Sequence, residues 1–333
     1  MSGTISVMQF GCGPIGCSIV RLAARRVSLS VCGAVDIDPA LAGRDLGEVA
    51  GAGAGLATAV RSDAQAALAE LRPDLVFHTT GSKVADVYDQ LALIAAAGAN
   101  VVSTCEELAF PAYREPELAE RLHALALRHG VSILGTGVNP GFLMDTWPLF
   151  MSTLCADVRR VRVVRIQDAT GRRVPFQRKI GAGMSVAEFD AAVAGGAFGH
   201  VGLQESAAML AAGLGWRLDA ISESIEPVLL DRDVRSEHVS VPAGTVAGLK
   251  QVAVGTRNGE PAVELEFQAY LGAPRSYETV SLAGTPPLEV TIDGGTPGDT
   301  ATAAIVVNSA AAVAAAAPGL YSMKDMPVVG CTA

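Results

Sequence analysis

Positive charge is scarce in this sequence of 333 residues. Lys and Arg number 25 against 34 Asp and Glu, which gives a net charge of −9. Because contacts with a phosphate backbone or an anionic lipid need clustered Lys and Arg, this balance speaks against a nucleic-acid-binding or membrane-surface protein. The six cysteines are scattered without Cys-x-x-Cys spacing. We therefore predict neither a disulfide scaffold nor a metal site, and we expect the protein to reside in a reducing cytoplasm.

Long uninterrupted hydrophobic runs are also missing. The nearest candidate is the Ala-rich segment 301–317, which Asn308 and Ser309 interrupt and Pro318 ends. The N-terminal residues carry no basic region followed by a cleavage site, so they do not resemble a signal peptide. We predict a soluble protein in which segment 301–317 forms a buried helix.

The length and composition favour two domains. Half of the residues are hydrophobic and 18% are charged, a balance typical of compact α/β enzymes. We predict a dinucleotide-binding domain over residues 1–140, a substrate-binding and dimerisation domain over residues 141–300, and a C-terminal helix over residues 301–333 that returns to the first domain.

Strand-like and helix-like segments alternate in the first part of the chain. Strands are predicted at residues 4–10, 28–35, 75–79, 100–103 and 131–135, and helices at residues 14–25, 64–70, 83–97 and 115–129. This alternation predicts an α/β fold with a Rossmann-type, doubly wound parallel sheet, whose ligand lies at the carboxyl ends of the strands.

The pattern changes after Pro140. Helices are predicted at residues 142–155, 185–194 and 200–213, a strand at residues 161–167, and further strands between residues 221 and 292. Ser185 and Glu188 have the spacing of a helix capping box. We expect a second, mixed α/β domain rich in strands.

A glycine-rich turn follows the first strand directly. Its residues are Gly11, Cys12, Gly13, Pro14, Ile15 and Gly16. In the Gly-x-Gly-x-x-Gly pattern, the first glycine permits a tight turn, the second lets the backbone approach a pyrophosphate, and the third allows close packing of helix and strand. Such a motif alone is a weak signal, but here a strand precedes it, a helix follows and an acidic residue ends the second strand. We predict a nicotinamide dinucleotide site.

The acidic residue is Asp36, whose carboxylate can accept hydrogen bonds from ribose hydroxyls and would repel a 2′-phosphate. This favours NAD(H), although Arg44 could accommodate the phosphate of NADP(H), and both cofactors stay open. Thr79 and Thr80 follow the next strand and are predicted to line the cofactor. The preceding His78 could be catalytic or purely structural.

Two carboxylates, Glu106 and Glu107, lie just beyond the strand at residues 100–103. Acids at this edge of the sheet can face the nicotinamide, although they can also simply stabilise the first turn of a helix. A second glycine-rich loop, around Asn139, follows the next strand and is predicted to close the nicotinamide pocket.

Three separated motifs give a more specific indication. They are Ser103-Thr104-Cys105-Glu106-Glu107, Gly135-Thr136-Gly137-Val138-Asn139-Pro140-Gly141, and Gly199-His200-Val201-Gly202-Leu203-Gln204-Glu205-Ser206. Together they resemble the 2,4-diaminopentanoate dehydrogenases and the related native amine dehydrogenases, and the resemblance extends to Pro318-Gly319-Leu320. It implies a dihydrodipicolinate-reductase-like architecture and a homodimer.

The resemblance also implies the reaction. We expect reversible oxidative deamination of an amine, or reductive amination of a ketone or aldehyde with ammonia, using NAD(H) or NADP(H). Glu106 or Glu107 would orient the amine and move protons. The second domain would shape the substrate pocket, with Phe142, Leu143 and Trp147 as apolar walls and His200 as a further contact. The sequence after residue 165 departs from the diaminopentanoate enzymes, so the identity of the amine stays open.

Other functions remain possible at this point. The substrate could be a small amino acid or a diamino acid such as 2,4-diaminopentanoate, and the chain could also be a dinucleotide sensor that has lost turnover. Dihydrodipicolinate reductase itself would need a His-His-rich segment that is missing, and homoserine dehydrogenase a lysine pair between the domains. The acidic pair at the sheet edge argues against a sensor.

Overall fold

The computed structural model describes residues 3–53, 56, 58–196 and 198–331. Residues 1, 2, 332 and 333, which fall in the predicted first and last segments, lie outside the described residues. The chain divides into two compact units, of which the first is Met1–Phe142 with Pro297–Ala333 and the second is Leu143–Thr296.

The first unit begins with strands and helices in regular alternation. In chain order they are β1 (Ile5–Phe10), α1 (Pro14–Ala23), β2 (Leu29–Val35), α2 (Leu46–Ala50), β3 (Val60–Arg61), α3 (Ala64–Leu71), β4 (Leu75–His78), α4 (Val84–Ala96), β5 (Asn100–Ser103), α5 (Pro116–His129) and β6 (Ser132–Gly135).

The second unit is richer in strands. Its elements are α6 (Thr146–Ser152), β7 (Asp157–Asp168), α7 (Val174–Lys179), α8 (Val186–Ala194), α9 (Leu203–Gly213), β8 (Ala220–Leu229), β9 (Val234–Arg235), β10 (Ser240–Val241), β11 (Val246–Arg257), β12 (Glu260–Tyr270), β13 (Tyr277–Thr285) and β14 (Leu288–Asp293). The chain then returns to the first unit with α10 (Gly298–Ala315) and β15 (Gly319–Tyr321).

All seven strands of the first unit form one parallel sheet. Their order is β15-β6-β5-β4-β1-β2-β3, and every neighbouring pair is parallel. The central strands are buried and apolar because helices cover both faces of such a sheet. The predicted doubly wound parallel sheet is confirmed.

Helix α10 is long and apolar enough to cross a membrane by length and composition alone. In the structure it packs against α1 and the parallel sheet, with Val306, Val307, Ala310 and Val313 buried. The Ser132 hydroxyl donates a hydrogen bond to the carbonyl oxygen of Val313 (2.5 Å) and ties the helix to β6. A helix in this segment is confirmed, and one side of it is buried in the first unit, whereas much of the remainder is only half-buried. Strand β15 was not predicted, because three residues carry no readable alternation.

The second unit is built on a mixed six-stranded sheet in the order β14-β13-β7-β12-β11-β8. Strands β7 and β12 are parallel, and the other neighbouring pairs are antiparallel. The predicted capping box of α8 is confirmed, since the Ser185 hydroxyl accepts from the Glu188 N–H and the Glu188 carboxylate accepts from the Ser185 N–H. The predicted mixed α/β composition is therefore confirmed.

Several predicted bounds in this unit are wrong. The helix predicted from residue 142 begins only at Thr146, because the Asp145 carboxylate accepts a hydrogen bond from the Thr146 N–H (2.5 Å) and caps the helix there. The helix predicted from residue 200 begins at Leu203, because Gly202 has a φ of 107° that a helix does not allow. The strand predicted at residues 161–167 extends over Asp157–Asp168.

A buried ion pair joins two neighbouring strands of this sheet. Arg165 on β7 is 2% exposed, and its Nε lies 3.2 Å from a carboxylate oxygen of Glu278 on β13. The Arg165 guanidinium also donates to the Thr296 carbonyl oxygen, and Glu278 accepts from the Thr296 N–H. Burial lowers the pKa of Arg165 to about 10, against the opposing attraction of Glu278.

Replacing Arg165 by Met should lower the free energy of unfolding by about 3–5 kcal/mol, because a buried carboxylate loses its cation. Urea denaturation followed by circular dichroism measures the change. Arg159→Met on the same strand is the matched control: Arg159 pairs with Asp157 but its side chain is 65% exposed. Its effect should stay below about 1 kcal/mol, and equal effects of the two substitutions would contradict the argument.

Candidate functional site

The glycine-rich turn connects β1 to the first turn of α1. Gly11 has a φ of 95°, and a Cβ at Gly16 would lie 2.0 Å from the Gly11 carbonyl oxygen, so the fold itself requires both glycines. A Cβ at Gly13 would meet nothing within 4 Å. The protein leaves open space beside Gly13, at the N-terminus of a helix, where the backbone and the helix dipole favour an anion. These features fit a dinucleotide pyrophosphate.

Asp36 directly follows β2 and is hydrogen-bonded to this turn. One carboxylate oxygen accepts from the Cys12 N–H (2.6 Å), and the other accepts from the Asp38 N–H (2.8 Å). Burial, helped by the charge of Asp36, raises the pKa of the Cys12 thiol to about 12. Cys12 is therefore a protonated packing residue and not a nucleophile.

Gln9 belongs to the same cluster and was missed in the sequence. It is 1% exposed, and its Nε2 donates to the Gly11 carbonyl oxygen (2.8 Å) and to the Thr79 hydroxyl (2.9 Å). The Thr79 hydroxyl also donates to the Gly11 carbonyl oxygen (2.9 Å). The available signal was one polar side chain in an otherwise apolar stretch of strand immediately before the turn.

Arg44 lies apart from these contacts, in the segment between β2 and β3. Its N–H donates to the Leu41 carbonyl oxygen, its carbonyl oxygen accepts from the Val60 N–H, and its side chain is exposed. The structure thus fixes the backbone of Arg44, and its role toward a cofactor phosphate stays a prediction.

His78 is a structural residue at the end of β4. Its Nδ1 lies 2.9 Å from the Ser103 hydroxyl, and its Nε2 lies 2.8 Å from Gln90 Oε1 and 2.9 Å from the Thr80 hydroxyl. Burial lowers the pKa of His78 to about 4, against a smaller rise from the Gln90 hydrogen bond. The neutral ring links β4 to β5 and α4. These contacts favour the structural role of His78 over the catalytic one.

The two adjacent carboxylates differ in environment. Glu107 is 5% exposed; its carboxylate accepts from the Val84 N–H at the start of α4 (2.9 Å), and Arg114 Nε lies 3.9 Å away. The Glu107 N–H donates to the Ser82 carbonyl oxygen (3.1 Å), so Glu107 joins the segment after β5 to the one after β4. Glu106 is half-buried at the start of a short 3-10 turn.

The loop around Asn139 packs against that turn. The Thr136 N–H donates to the Ser103 carbonyl oxygen (2.8 Å), and a Cβ at Gly135 would lie 2.2 Å from the Leu108 carbonyl oxygen. The Val138 N–H donates to the Thr302 hydroxyl of α10 (3.3 Å). Asn139 is buried, and Phe142 is half-buried at the end of the unit. The first unit therefore places Asn139 at the same sheet edge as Glu106.

The remaining predicted substrate residues lie in the second unit. Leu143 is buried, Trp147 is half-buried on α6, and the ring of His200 lies 5.1 Å from that of Phe267. The Gln251 side chain holds the His200 backbone, accepting from its N–H and donating to its carbonyl oxygen (2.8 Å each). His200 thus has a fixed position on its own unit.

Comparison with known proteins gives consistent relatives. Residues 142–333 match the family of 2,4-diaminopentanoate dehydrogenase C-terminal domains. The 2,4-diaminopentanoate dehydrogenase of Acetoanaerobium sticklandii is 33% identical over 267 residues, which cover 78% of this chain and 76% of that protein. The structure of an amine dehydrogenase from Mycobacterium smegmatis has a TM-score of 0.86 and 25% identity, and covers 98% of this chain and 97% of that one.

A more distant structure bears on the fold alone. Dipicolinate-bound dihydrodipicolinate reductase from Paenisporosarcina sp. TG-14 has a TM-score of 0.56 and 13% identity, with 97% of this chain and 99% of that one covered. The predicted dihydrodipicolinate-reductase-like architecture is confirmed.

The buried His78 should make stability depend on pH. At pH values well above the ordinary histidine pKa of about 6.5, the ring is neutral in both the folded and the unfolded chain, so the pKa difference has no effect on stability. As the pH falls toward the folded pKa of about 4, the unfolded chain binds a proton that the folded chain does not, and the free energy of unfolding decreases by up to about 1.4 kcal/mol per pH unit.

Urea denaturation of the wild type and of His78→Gln between about pH 7 and pH 4 measures this effect. Both proteins lose stability through their carboxylates, but the wild-type curve should be steeper by about one proton. Parallel curves would show that His78 is not held neutral by the fold.

Proposed function

The chain belongs to the 2,4-diaminopentanoate dehydrogenase family, and we propose that it is an amine dehydrogenase using NAD(H) or NADP(H). In its oxidative direction a protonated amine, the oxidised dinucleotide and water give a ketone or aldehyde, ammonium, the reduced dinucleotide and a proton. The reverse direction is reductive amination. The observation that carries the proposal is the half-buried Glu106 at the carboxyl edge of the sheet, beside a second glutamate that the fold itself uses.

The residues of the first unit would hold the cofactor. We propose that the turn Gly11-Cys12-Gly13-Pro14-Ile15-Gly16 binds the pyrophosphate and that Asp36 accepts hydrogen bonds from the adenosine ribose. Thr79, Thr80 and Asn139 would border the nicotinamide half. When bound, the dinucleotide supplies or takes up the hydride. Asp36 favours NAD(H), since its carboxylate repels a 2′-phosphate, whereas the exposed Arg44 could pair with that phosphate.

Glu106 would handle the nitrogen of the substrate. A carboxylate attracts the substrate ammonium, orients its carbon–nitrogen bond and accepts one of its protons. In the reverse direction the same carboxylate binds ammonium and stabilises positive charge on the protonated imine. Glu107 is the weaker candidate for this role, because its carboxylate accepts the Val84 N–H and is buried.

Apolar side chains would contact the substrate carbon skeleton. We propose Phe142, Leu143 and Trp147 as the walls and His200 as a contact that Gln251 keeps in place. A short aliphatic amine or ketone suits such walls, and 2,4-diaminopentanoate, which names a relative, is the alternative substrate. In the reductive direction, ammonia or ammonium would supply the nitrogen that replaces the carbonyl oxygen of the corresponding ketone or aldehyde.

We further propose that the enzyme is a cytoplasmic homodimer. All six cysteines are free thiols, which suits a reducing compartment. On one face of the sheet in the second unit, Ile166, Val252 and Val254 are only half-buried and border an ion-pair ladder in which Arg162 bonds Glu264 and Glu266. Such a mixed apolar and charged face can pair with a second copy of itself.

Glu106→Gln should lower kcat for amine oxidation by about 100-fold or more, which is the scale of a lost acid–base group, and should lower the melting temperature less than Glu107→Gln does. Glu107→Gln is the matched variant one residue away. It should keep activity within about tenfold and lower the melting temperature, because it weakens the contact with α4. Reduced-dinucleotide absorbance and thermal unfolding measure the two effects. If Glu107→Gln instead loses activity and Glu106→Gln loses stability, the roles of the two glutamates are the reverse of those proposed.

The proposed function itself is tested with the wild-type protein. NAD or NADP is incubated with a panel of short amines, amino acids and 2,4-diaminopentanoate, and absorbance of the reduced dinucleotide is followed. Turnover of at least one amine is the expected result. A protein that binds the dinucleotide but converts no amine would instead be a dinucleotide sensor.

A further inference from the structure

Gln9 is a polar residue at a position where its burial lowers the stability of the fold. It is buried in β1, and although its Nε2 makes two good hydrogen bonds, its Oε1 is buried with no hydrogen-bond partner among the residues that the structure describes. An apolar side chain of similar size would avoid burying an unpaired carbonyl. Packing alone therefore does not explain a glutamine at this position.

The two groups that Gln9 contacts point to its use. Both Gln9 Nε2 (2.8 Å) and the Thr79 hydroxyl (2.9 Å) donate to the Gly11 carbonyl oxygen. At the other end of the same peptide group, the Cys12 N–H donates to Asp36 (2.6 Å). The peptide group between Gly11 and Cys12 is therefore held from both sides. Gln9 and Thr79 bond its carbonyl oxygen, and Asp36 bonds its N–H.

This arrangement fixes which way the peptide group points. The Gly11 carbonyl oxygen is directed toward Gly16, where a Cβ would lie 2.0 Å from that oxygen and 2.8 Å from Gln9 Nε2. A peptide flip would turn this oxygen toward the Asp36 carboxylate, which is electrostatically unfavourable. The side of the turn at Gly13 stays open.

We infer that Gln9 and Thr79 are positioning residues that hold the phosphate-binding turn in its binding conformation before the cofactor arrives. We name this pair the carbonyl clamp. The inference rests on the proposed function, in that it assumes a dinucleotide cofactor at this turn. A turn that is already ordered loses less conformational freedom on binding, so Gln9 contributes affinity without touching the ligand, whereas Thr79 would both hold the turn and border the nicotinamide half.

The test is Gln9→Leu, with dinucleotide binding as the main measurement. NADH binding is followed by its fluorescence and ADP-ribose binding by calorimetry; ADP-ribose keeps the pyrophosphate and lacks the nicotinamide. Both dissociation constants should rise by about tenfold, which corresponds to about 1.4 kcal/mol. The melting temperature should stay within about 2 °C of the wild type, because two lost hydrogen bonds are offset by removal of the unpaired carbonyl.

Gln177→Leu is the matched control. Gln177 is equally buried, but its Nε2 donates to the carbonyl oxygens of Ala169, Thr170 and Arg172, and its Oε1 accepts from the Ser236 hydroxyl. Its replacement should lower the melting temperature and leave NADH binding unchanged. Gln9→Leu should therefore weaken dinucleotide binding and preserve stability, whereas Gln177→Leu should lower stability and preserve binding.

Variants of Thr79 test the other half of the clamp. Thr79→Val removes the hydroxyl that donates to the Gly11 carbonyl oxygen and should weaken the binding of ADP-ribose, which lacks the nicotinamide half that Thr79 would border. Thr79→Ser keeps the hydroxyl and should restore most of the lost ADP-ribose affinity. In steady-state assays, Gln9→Leu should raise the KM for the dinucleotide and leave kcat at saturation unchanged.

Two results would overturn the inference. If Gln9→Leu binds NADH and ADP-ribose as tightly as the wild type, the clamp has no role in binding; if its melting temperature falls by as much as that of Gln177→Leu, Gln9 is structural. A wild-type protein that binds neither of these ligands nor NADPH contradicts the proposed function instead, so the two failures are distinguishable.

Discussion

The site depends on one constraint: every strand of the first sheet runs in the same direction. The residues that follow β1, β2, β4, β5 and β6 therefore meet at one edge, although more than a hundred residues separate the first of these segments from the last along the chain. Hydrogen bonds between the segments after the strands tighten this edge. Glu107 joins the segment after β5 to α4, and Thr136 joins the segment after β6 to Ser103.

The sequence predicted this sheet well, because buried parallel strands are short apolar runs and the helices between them have clear periodicity. The glycine turn and Asp36 were found for a similar reason, since their residue types and spacing are local. Sequence patterns did not predict features that depend on residues far away in the chain. Strand β15 exists because its three residues extend the edge beside β6, and Gln9 is explained only by the Gly11 carbonyl oxygen and by Thr79.

The acidic pair shows the same limit inside the candidate site. Glu106 and Glu107 are adjacent in the sequence and chemically identical, so no pattern separates them. The fold separates them through burial and through one backbone N–H at the start of α4. Glu107, which bonds to the start of α4, therefore lies beside Glu106, which is proposed for the chemistry. The contact of Glu107 helps to hold Glu106 at the sheet edge.

We propose that this edge positions a nicotinamide to exchange a hydride with a carbon that carries nitrogen. The most direct measurement supplies a short ketone, the reduced dinucleotide and ¹⁵N-labelled ammonium, and analyses the product by mass spectrometry. We expect the dinucleotide to be consumed only when ammonium is present and the product to be the ¹⁵N-labelled amine. Consumption without ammonium, with an alcohol as the product, would contradict this proposal.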